Sequence, residues 1–224
     1  MRIPLCRCTL IGVLFLSRAF GSACLTNPLS VYDAKSFSCT INGEIVDNFT
    51  FSGSGYSALS DTQIMVTPSF TPSSYTLAFS SIPSGGFSVP SGQSVLYQIN
   101  FTWDPVVVRA EDDLSDPTHA PGSSTVTTNL CAGGLFGVTC TSPTNTLTVS
   151  DNGISPILTA SASFAPVTVV DTQTSIALNG GPSGEGGSSS ITGFSETVFT
   201  PEPGTVLLVA MGLLLLWRRP QPTL

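Results

Sequence analysis

The longest alternating stretch of this sequence is S-V-L-Y-Q-I-N-F-T-W, residues 94–103. Successive side chains of an extended strand point to opposite faces. One face of the stretch therefore carries five large apolar groups: Val95, Tyr97, Ile99, Phe101 and Trp103. No other segment offers as much apolar surface for burial, which is worth roughly 25 cal/mol per Å². The stretch predicts the central strand of a β-sheet.

A hairpin signal lies upstream of this strand. Residues 37–41 and 44–51 flank Asn42-Gly43, a dipeptide that supplies the two positive-φ positions of a type I′ turn. In the second arm, alternation places Asp47, Phe49 and Phe51 on one face. We expect both phenylalanines to point into the core and Asp47 to lie near the turn, where water reaches it.

The rest of the chain between its two ends is rich in Ser, Thr, Val, Phe and Ile and poor in helix-forming residues. Short strands are predicted at residues 63–67 (ended by Pro68), 74–80, 106–109, 124–130, 136–141, 146–150, 157–164, 167–170, 174–178 and 197–199. This spacing is typical of an all-β, antiparallel β-sandwich of about 8–11 short strands. Residues 179–190 are Gly- and Ser-rich, which indicates a linker or long loop. Whether residues 191–199 pair back as a last strand stays open.

Charge excludes one class of partner. Between residues 24 and 200, a segment we call the body, Lys35 and Arg109 are the only basic residues, against thirteen acidic ones, which gives a net charge of −11. A body this acidic repels phosphate backbones, so we expect no nucleic-acid partner.

Four cysteines lie in the body: Cys24, Cys39, Cys131 and Cys140. An even number in an exported chain indicates disulfides, and three pairings are possible. Loop length favours local pairing, Cys24 with Cys39 and Cys131 with Cys140. A zinc site is disfavoured because the body has no Cys-x-x-Cys spacing and a single histidine. The sequence predicts no metal and no cofactor.

Candidate catalytic residues are few. His119 lies between Pro117 and Pro121 without the motif of a serine hydrolase. The acidic stretch at 111–116 lacks an EF-hand pattern, so we expect a solvated loop rather than a Ca²⁺ site. Glycoside cleavage needs two positioned carboxylates, and no motif pairs any here. Trp103 suits the core as well as a sugar-binding platform. We therefore assign no catalytic residue and predict that the protein is not an enzyme.

The first residues are typical of a secretory signal peptide. Arg2 and Arg7 precede an apolar run at 9–16, and Gly21-Ser22-Ala23 forms a small-residue cleavage site. Cleavage after Ala23 would make Cys24 the first mature residue. An acylated lipoprotein cysteine is then an alternative, although Gly21 stands where a lipoprotein signal has leucine.

The last residues indicate a membrane-directed signal. Residues 205–217 carry no charge and are followed by Arg218 and Arg219. As a helix, these thirteen residues would span roughly 20 Å, against about 30 Å for a bilayer core, so a permanent span would be short. The arginines would remain cytoplasmic. The alternative, a buried C-terminal element, would not need this double arginine.

The order of Pro201, Glu202, Pro203 and Gly204, a short apolar run and a basic end resembles the PEP-CTERM sorting signal of Gram-negative bacteria. The resemblance covers about the last tenth of the chain. It implies transient insertion in the inner membrane, recognition by an exosortase-type membrane protease, and cleavage near Pro-Glu-Pro. It also implies delivery to the cell surface and association with exopolysaccharide. A GPI anchor has a similar segment order, but the Pro-Glu-Pro and the terminal arginines argue against it.

The sequence thus predicts a signal peptide at 1–23, a β-sandwich ectodomain at 24–178, a Gly/Ser-rich linker and possible last strand at 179–200, and a sorting signal with a short transmembrane helix at 201–224. We expect an exported, non-enzymatic surface or matrix protein. The alternative is a secreted carbohydrate-binding or carbohydrate-cleaving domain. A buried Trp103 without a cleft favours the first, and facing carboxylates in a cleft beside an exposed Trp103 favour cleavage.

Overall fold

A computed structural model of the protein describes residues 22–82 and 86–201. Most of the predicted signal peptide, the predicted transmembrane helix, and Glu202, Pro203, Gly204, Arg218 and Arg219 lie outside the described residues. Pro201 is the last residue described. Within these residues, no helix has the length and apolar character that a membrane crossing requires.

The fold is an antiparallel β-sandwich, as predicted. In the described part of the chain, the first layer is a seven-stranded sheet in the order β1 (Ser22–Ala23), β3 (Ser38–Ile41), β4 (Glu44–Gly55), β8 (Ser94–Trp103), β14 (Val170–Asn179), β11 (Ser123–Ala132) and β12 (Asn145–Asp151). The predicted central strand, β8, lies in the middle of this order, so that prediction is confirmed. Its five apolar side chains are all at most 3% exposed.

The second layer is a six-stranded sheet and a smaller sheet. Their described strands follow the orders β13 (Thr159–Val167), β9 (Val107–Ser115), β16 (Gly193–Phe199), β6 (Ser74–Ser81), β5 (Ile64–Thr71), β2 (Asn27–Pro28), and β10 (Thr118–Ala120), β15 (Ser188–Ile191), β7 (Phe87–Pro90). The smaller sheet continues three neighbouring strands of the larger one past a bend, because β9 leads into β10, β15 into β16 and β6 into β7. Residues 22–82 also contain two short helices: α1 (Leu29–Tyr32) and a 3-10 helix (Asp61–Gln63).

The described residues form sixteen strands, more than the predicted 8–11. Bends account for part of the difference, since each splits one run of chain into two strands. Asp116 adopts φ 42° between β9 and β10, and Gly86 adopts φ 71° before β7. Gly86 has a second constraint: a Cβ there would lie 2.2 Å from the Ile191 carbonyl oxygen.

Aromatic rings connect the two layers through the core. Phe101 of β8 stacks on Phe49 of β4 with ring centroids 5.1 Å apart, and it meets Phe79 of β6 at 5.9 Å. Phe79 in turn stacks on Phe194 of β16 at 4.8 Å. All four rings are buried, so this series of contacts holds the sheets face to face.

The predicted hairpin is confirmed, but its second arm is not a regular strand. Asn42 and Gly43 have φ 51° and 89°, as a type I′ turn requires. A β-bulge follows between Asp47 and Thr50, where Asn48 adopts φ 58°. The extra residue shifts the alternation, so Val46 and Phe49 are buried, Phe51 is half-buried, and Asp47 does not share their face. The predicted single face of this arm is therefore wrong.

Three further predictions need correction. Strand β5 continues through Pro68, because β2 pairs with it only at Met65 and Val66 and leaves the nitrogen at Pro68 without a strand to bond. Residues 136–141 are a loop rather than a strand, held by an isolated bridge between Phe136 and Cys140. Residues 111–115 belong to strand β9 rather than to a solvated loop, because β13 and β16 pair with it on both sides.

The two disulfides are those that loop length favours, Cys24–Cys39 and Cys131–Cys140. Of the segment 179–200, Ser188–Ile191 and Gly193–Phe199 are strands, and the latter lies between β9 and β6. Residues 180–187 form the connecting loop.

Candidate functional site

Trp103 is not available as a binding platform. Its side chain is fully buried, and its ring meets that of Phe101 edge-on at 5.5 Å. Its Nε1 has no hydrogen-bond partner. The indole therefore belongs to the core, at the end of the face predicted from the alternation of residues 94–103.

Two carboxyl groups do face each other, but inside the sandwich. Asp112 of β9 and Glu196 of β16 are direct cross-strand partners, and only 1% and 3% of them is exposed. The opposite sheet supplies two buried hydroxyls. Thr174 donates a hydrogen bond to Glu196 Oε1, and the Thr174 and Thr128 hydroxyls lie 3.1 Å apart. The four side chains form a polar cluster that joins the layers.

Burial dominates the electrostatics of this cluster. It raises the pKa of Asp112 to about 7, against a partial lowering by the Thr128 hydrogen bond and further raising by the charges of Asp113 and Glu111. Burial also raises the pKa of Glu196 well above its usual value, and the charge of Asp112 adds to this. The pair therefore retains a proton near neutral pH. It has no cleft to a substrate, so its position fits a core feature.

The pairing of Asp112 with Glu196 was not predicted, because the acidic stretch at 111–116 was expected to be a solvated loop. Strand alternation could have indicated the burial of Asp112, because Asp112 shares a face with Ala110 and Leu114, which are both buried. Glu196 likewise alternates with Phe194 and Val198. Only pairing between the two strands, however, brings the carboxyls together.

The outer face of the first layer carries a different arrangement. Strand register places two five-residue rows side by side across β4, β8, β14, β11 and β12. The rows are Thr50, Asn100, Gln173, Asn129 and Thr146, and Ser52, Gln98, Ser175, Thr127 and Thr148. We call these ten residues the neutral grid, because every side chain is a hydroxyl or a carboxamide and none is charged. All are exposed or half-buried.

Cross-strand hydrogen bonds hold the grid in place. The Asn100 Nδ2 donates to Thr50 Oγ1 at 2.9 Å, and the Thr146 hydroxyl donates to Asn129 Oδ1 at 3.0 Å. The four carboxamides surround a shallow depression of about 200 Å³, lined by Gln98, Asn100, Asn129, Gln173, Thr174 and Ser175. The grid can therefore offer several oriented donors and acceptors to one ligand.

Negative charge begins at one end of the grid. Thr102 follows Asn100 on the same face of β8, and its hydroxyl donates to Asp171 Oδ1 at 3.1 Å. Burial raises the pKa of Asp171, against hydrogen bonds that lower it. Burial raises the pKa of Asp47 as well, and the charges of Asp104 and Asp171 add to it. The described residues contain no group of three His, Cys, Asp or Glu side chains that could hold a metal ion.

The structure describes few of the residues predicted to carry sorting. Cys24, the candidate for acylation, has its sulfur in the bond to Cys39. His119 lies in β10, where it pairs with Ser189 of β15. Neither it nor the acidic stretch joins the neutral grid.

Comparison with known proteins adds little. No protein-family model and no curated protein matches this chain. Among solved structures, the chain is similar to TmCBM61 in complex with beta-1,4-galactotriose, with 9% sequence identity and a TM-score of 0.29. The alignment covers 65% of this chain and 86% of that one. At this TM-score the similarity carries no argument about the fold or ligand of this chain.

Proposed function

We propose that the chain is an exported, non-catalytic protein of the cell surface or extracellular matrix, delivered by its C-terminal signal and associated with exopolysaccharide. The observation that carries the non-catalytic part is the burial of Trp103 together with Asp112 and Glu196. Trp103 is the single tryptophan of the body, Asp112 and Glu196 are directly opposite carboxyls on neighbouring strands, and all three lie inside the core.

Export is supported by the disulfides. Disulfides form and persist in oxidising compartments outside the cytoplasm, and the described part of this chain contains two, both between cysteines close in sequence. The Cys24–Cys39 bond also argues against a lipoprotein, because acylation of Cys24 would use the same sulfur atom. The sequence at both ends agrees with export, as a signal peptide followed at the far end by a sorting signal.

The mass of the mature protein tests this proposal. The full chain is expressed in a Gram-negative host with and without an exosortase-type protease, and the product is analysed by intact mass spectrometry. We expect a protein that starts near Cys24 and, only with the protease, ends near Pro203. Retention of the residues after Pro203 in both strains would replace sorting by a permanent anchor.

A matched pair of variants examines the signal itself. Glu202→Ala should prevent processing if the protease reads that carboxylate, whereas Glu185→Ala, in the loop before β15, should leave processing unchanged. Normal processing of both variants would limit the signal to the apolar run. A lipid-modified mass at Cys24 would overturn the disulfide argument.

The alternative of a carbohydrate-active domain has two forms. The cleaving form requires two carboxylates that reach substrate, and the buried Asp112 and Glu196 do not. The binding form is compatible with a matrix protein, and the neutral grid is the specific observation that favours it.

A further inference from the structure

Four carboxamides converge on one exposed site of the first layer. Gln98, Asn100, Asn129 and Gln173 come from three neighbouring strands and line the same depression. Asparagine is disfavoured in strands, so the propensity of a solvated sheet face does not account for this arrangement. Hydroxyls of Ser and Thr complete both rows.

The grid has the donors and acceptors that sugar hydroxyls require. A carboxamide has two N–H donors and an acceptor oxygen with two lone pairs. The bond from Asn100 to Thr50 therefore uses only part of the capacity of Asn100. Because β8, β14 and β11 are paired on both sides, the backbone holds these groups in position before any ligand arrives, which lowers the entropy cost of binding.

We propose that the neutral grid is a binding site for a neutral polysaccharide that lies across the strands. The inference rests on the proposed function, to which it adds the site and the class of ligand. Five strands at about 4.8 Å spacing give each row a length of roughly 19 Å, enough for several linked sugar rings.

Charge determines the class of polymer. None of the ten grid residues is ionisable, whereas the body as a whole has a net charge of −11. An acidic polysaccharide would meet long-range repulsion and no cation in the grid. The outer face of the second layer differs, since Arg109, Glu111 and Asp113 lie there on one strand, and Arg109 and Glu111 form an ion pair.

The composition of the grid also argues against a protein partner. Stable protein interfaces centre on buried aromatic or arginine anchors, and the grid contains neither. Carboxamides and hydroxyls instead match the spaced hydroxyl groups of a sugar chain. Each of these side chains can both donate and accept hydrogen bonds, and so can each sugar hydroxyl.

Affinity electrophoresis of the secreted protein tests the proposal. Native gels contain hydroxyethyl cellulose, dextran or galactan as neutral probes and alginate as the acidic one. We expect retardation by at least one neutral polymer and none by alginate. Asn100→Val/Asn129→Val/Gln173→Val should weaken that binding by about tenfold or more, because several hydrogen bonds are lost, while valine is a residue that favours strands.

The control is Thr67→Val/Ser69→Val, which makes similar changes at two exposed positions of β5 in the other layer. It should bind like wild type. Thermal unfolding verifies that each variant is folded, and the single Asn100→Val replaces the triple variant if the latter does not fold.

Four results would overturn the inference. Mobility unaffected by every neutral polymer refutes the site, and it leaves the mass test of sorting untouched. Wild-type binding by the folded grid variant assigns the ligand to another surface. If the grid and control variants lose the same amount of binding, the grid residues do not form the site. If alginate alone retards the protein, the ligand is not a neutral polysaccharide.

Discussion

Asp112→Asn replaces an ionisable group in the core by a neutral one of nearly the same shape. Asp112 is 1% exposed and lies opposite Glu196, so its charged form is poorly solvated. Burial raises the pKa of Asp112 from 3.8 to about 7 in the folded protein. The substitution removes this titration and keeps an oxygen that accepts from Thr128.

The sign and size of the effect follow from linkage. Between those two pKa values the folded protein holds a proton that the unfolded chain has released, so the free energy of unfolding falls as pH rises. Each pH unit is worth about 1.4 kcal/mol, and the wild type should lose on the order of 4 kcal/mol between about pH 4 and about pH 7. The raised pKa of Glu196 acts in the same direction.

Urea unfolding of the oxidised protein at several pH values measures how the free energy of unfolding depends on pH. We expect Asp112→Asn to match wild type near pH 4 and to be more stable at pH 8, by a difference on the order of 4 kcal/mol. Glu185→Gln is the control, because Glu185 is an exposed acid in the loop before β15, away from the buried pair. It should change stability by about 0.5 kcal/mol or less.

Two outcomes would refute the reasoning. If Asp112→Asn is less stable than wild type at pH 8, the carboxylate makes a net favourable contribution that its burial does not suggest. If the two proteins differ by the same amount at every pH, Asp112 does not titrate between the folded and unfolded values, and the buried-pair interpretation is wrong.

Further substitutions examine the core and the disulfides. Phe49→Ala removes a ring stacked 5.1 Å from that of Phe101, and it should cost about 3–5 kcal/mol of unfolding free energy. Phe70→Ala, at a position 57% exposed, should cost about 0.5 kcal/mol or less, and similar values for both would contradict the aromatic core. Replacing Cys24 and Cys39 by serine opens a link across 15 residues and should cost about 3 kcal/mol. The same change at Cys131 and Cys140, 9 residues apart, should cost slightly less, and reductant should then lower the melting temperature of either variant, but not of the variant that lacks all four cysteines.

Much of the fold was predictable from local pattern. The alternation of residues 94–103 identified the central strand and its buried face, and Asn42-Gly43 identified a hairpin turn, because both signals depend only on neighbouring residues. The cysteine pairing also followed from short separations. Strand ends were less predictable: Pro68 did not end β5, since the effect of a proline depends on whether a second strand lies beside it.

The candidate site was harder to predict from the sequence than the fold was. The polar residues of β8 were visible as the solvent side of an amphipathic strand, but nothing local shows that Gln173 and Asn129 stand beside Asn100. That arrangement depends on the pairing of strands separated by 29 to 73 residues in the chain. The bulge at Asn48 was hidden for the same reason, because its extra residue is defined against the partner strand.

The sequence by itself determined the all-β class, the central strand and the hairpin turn and favoured the local disulfides, since each follows from residue type and short spacing. The tertiary structure alone decided which distant side chains meet. It placed Asp112 against Glu196 in the core, and it aligned ten uncharged side chains of five strands into two rows. Alternation states which face a residue takes, but register between strands decides its neighbours on that face.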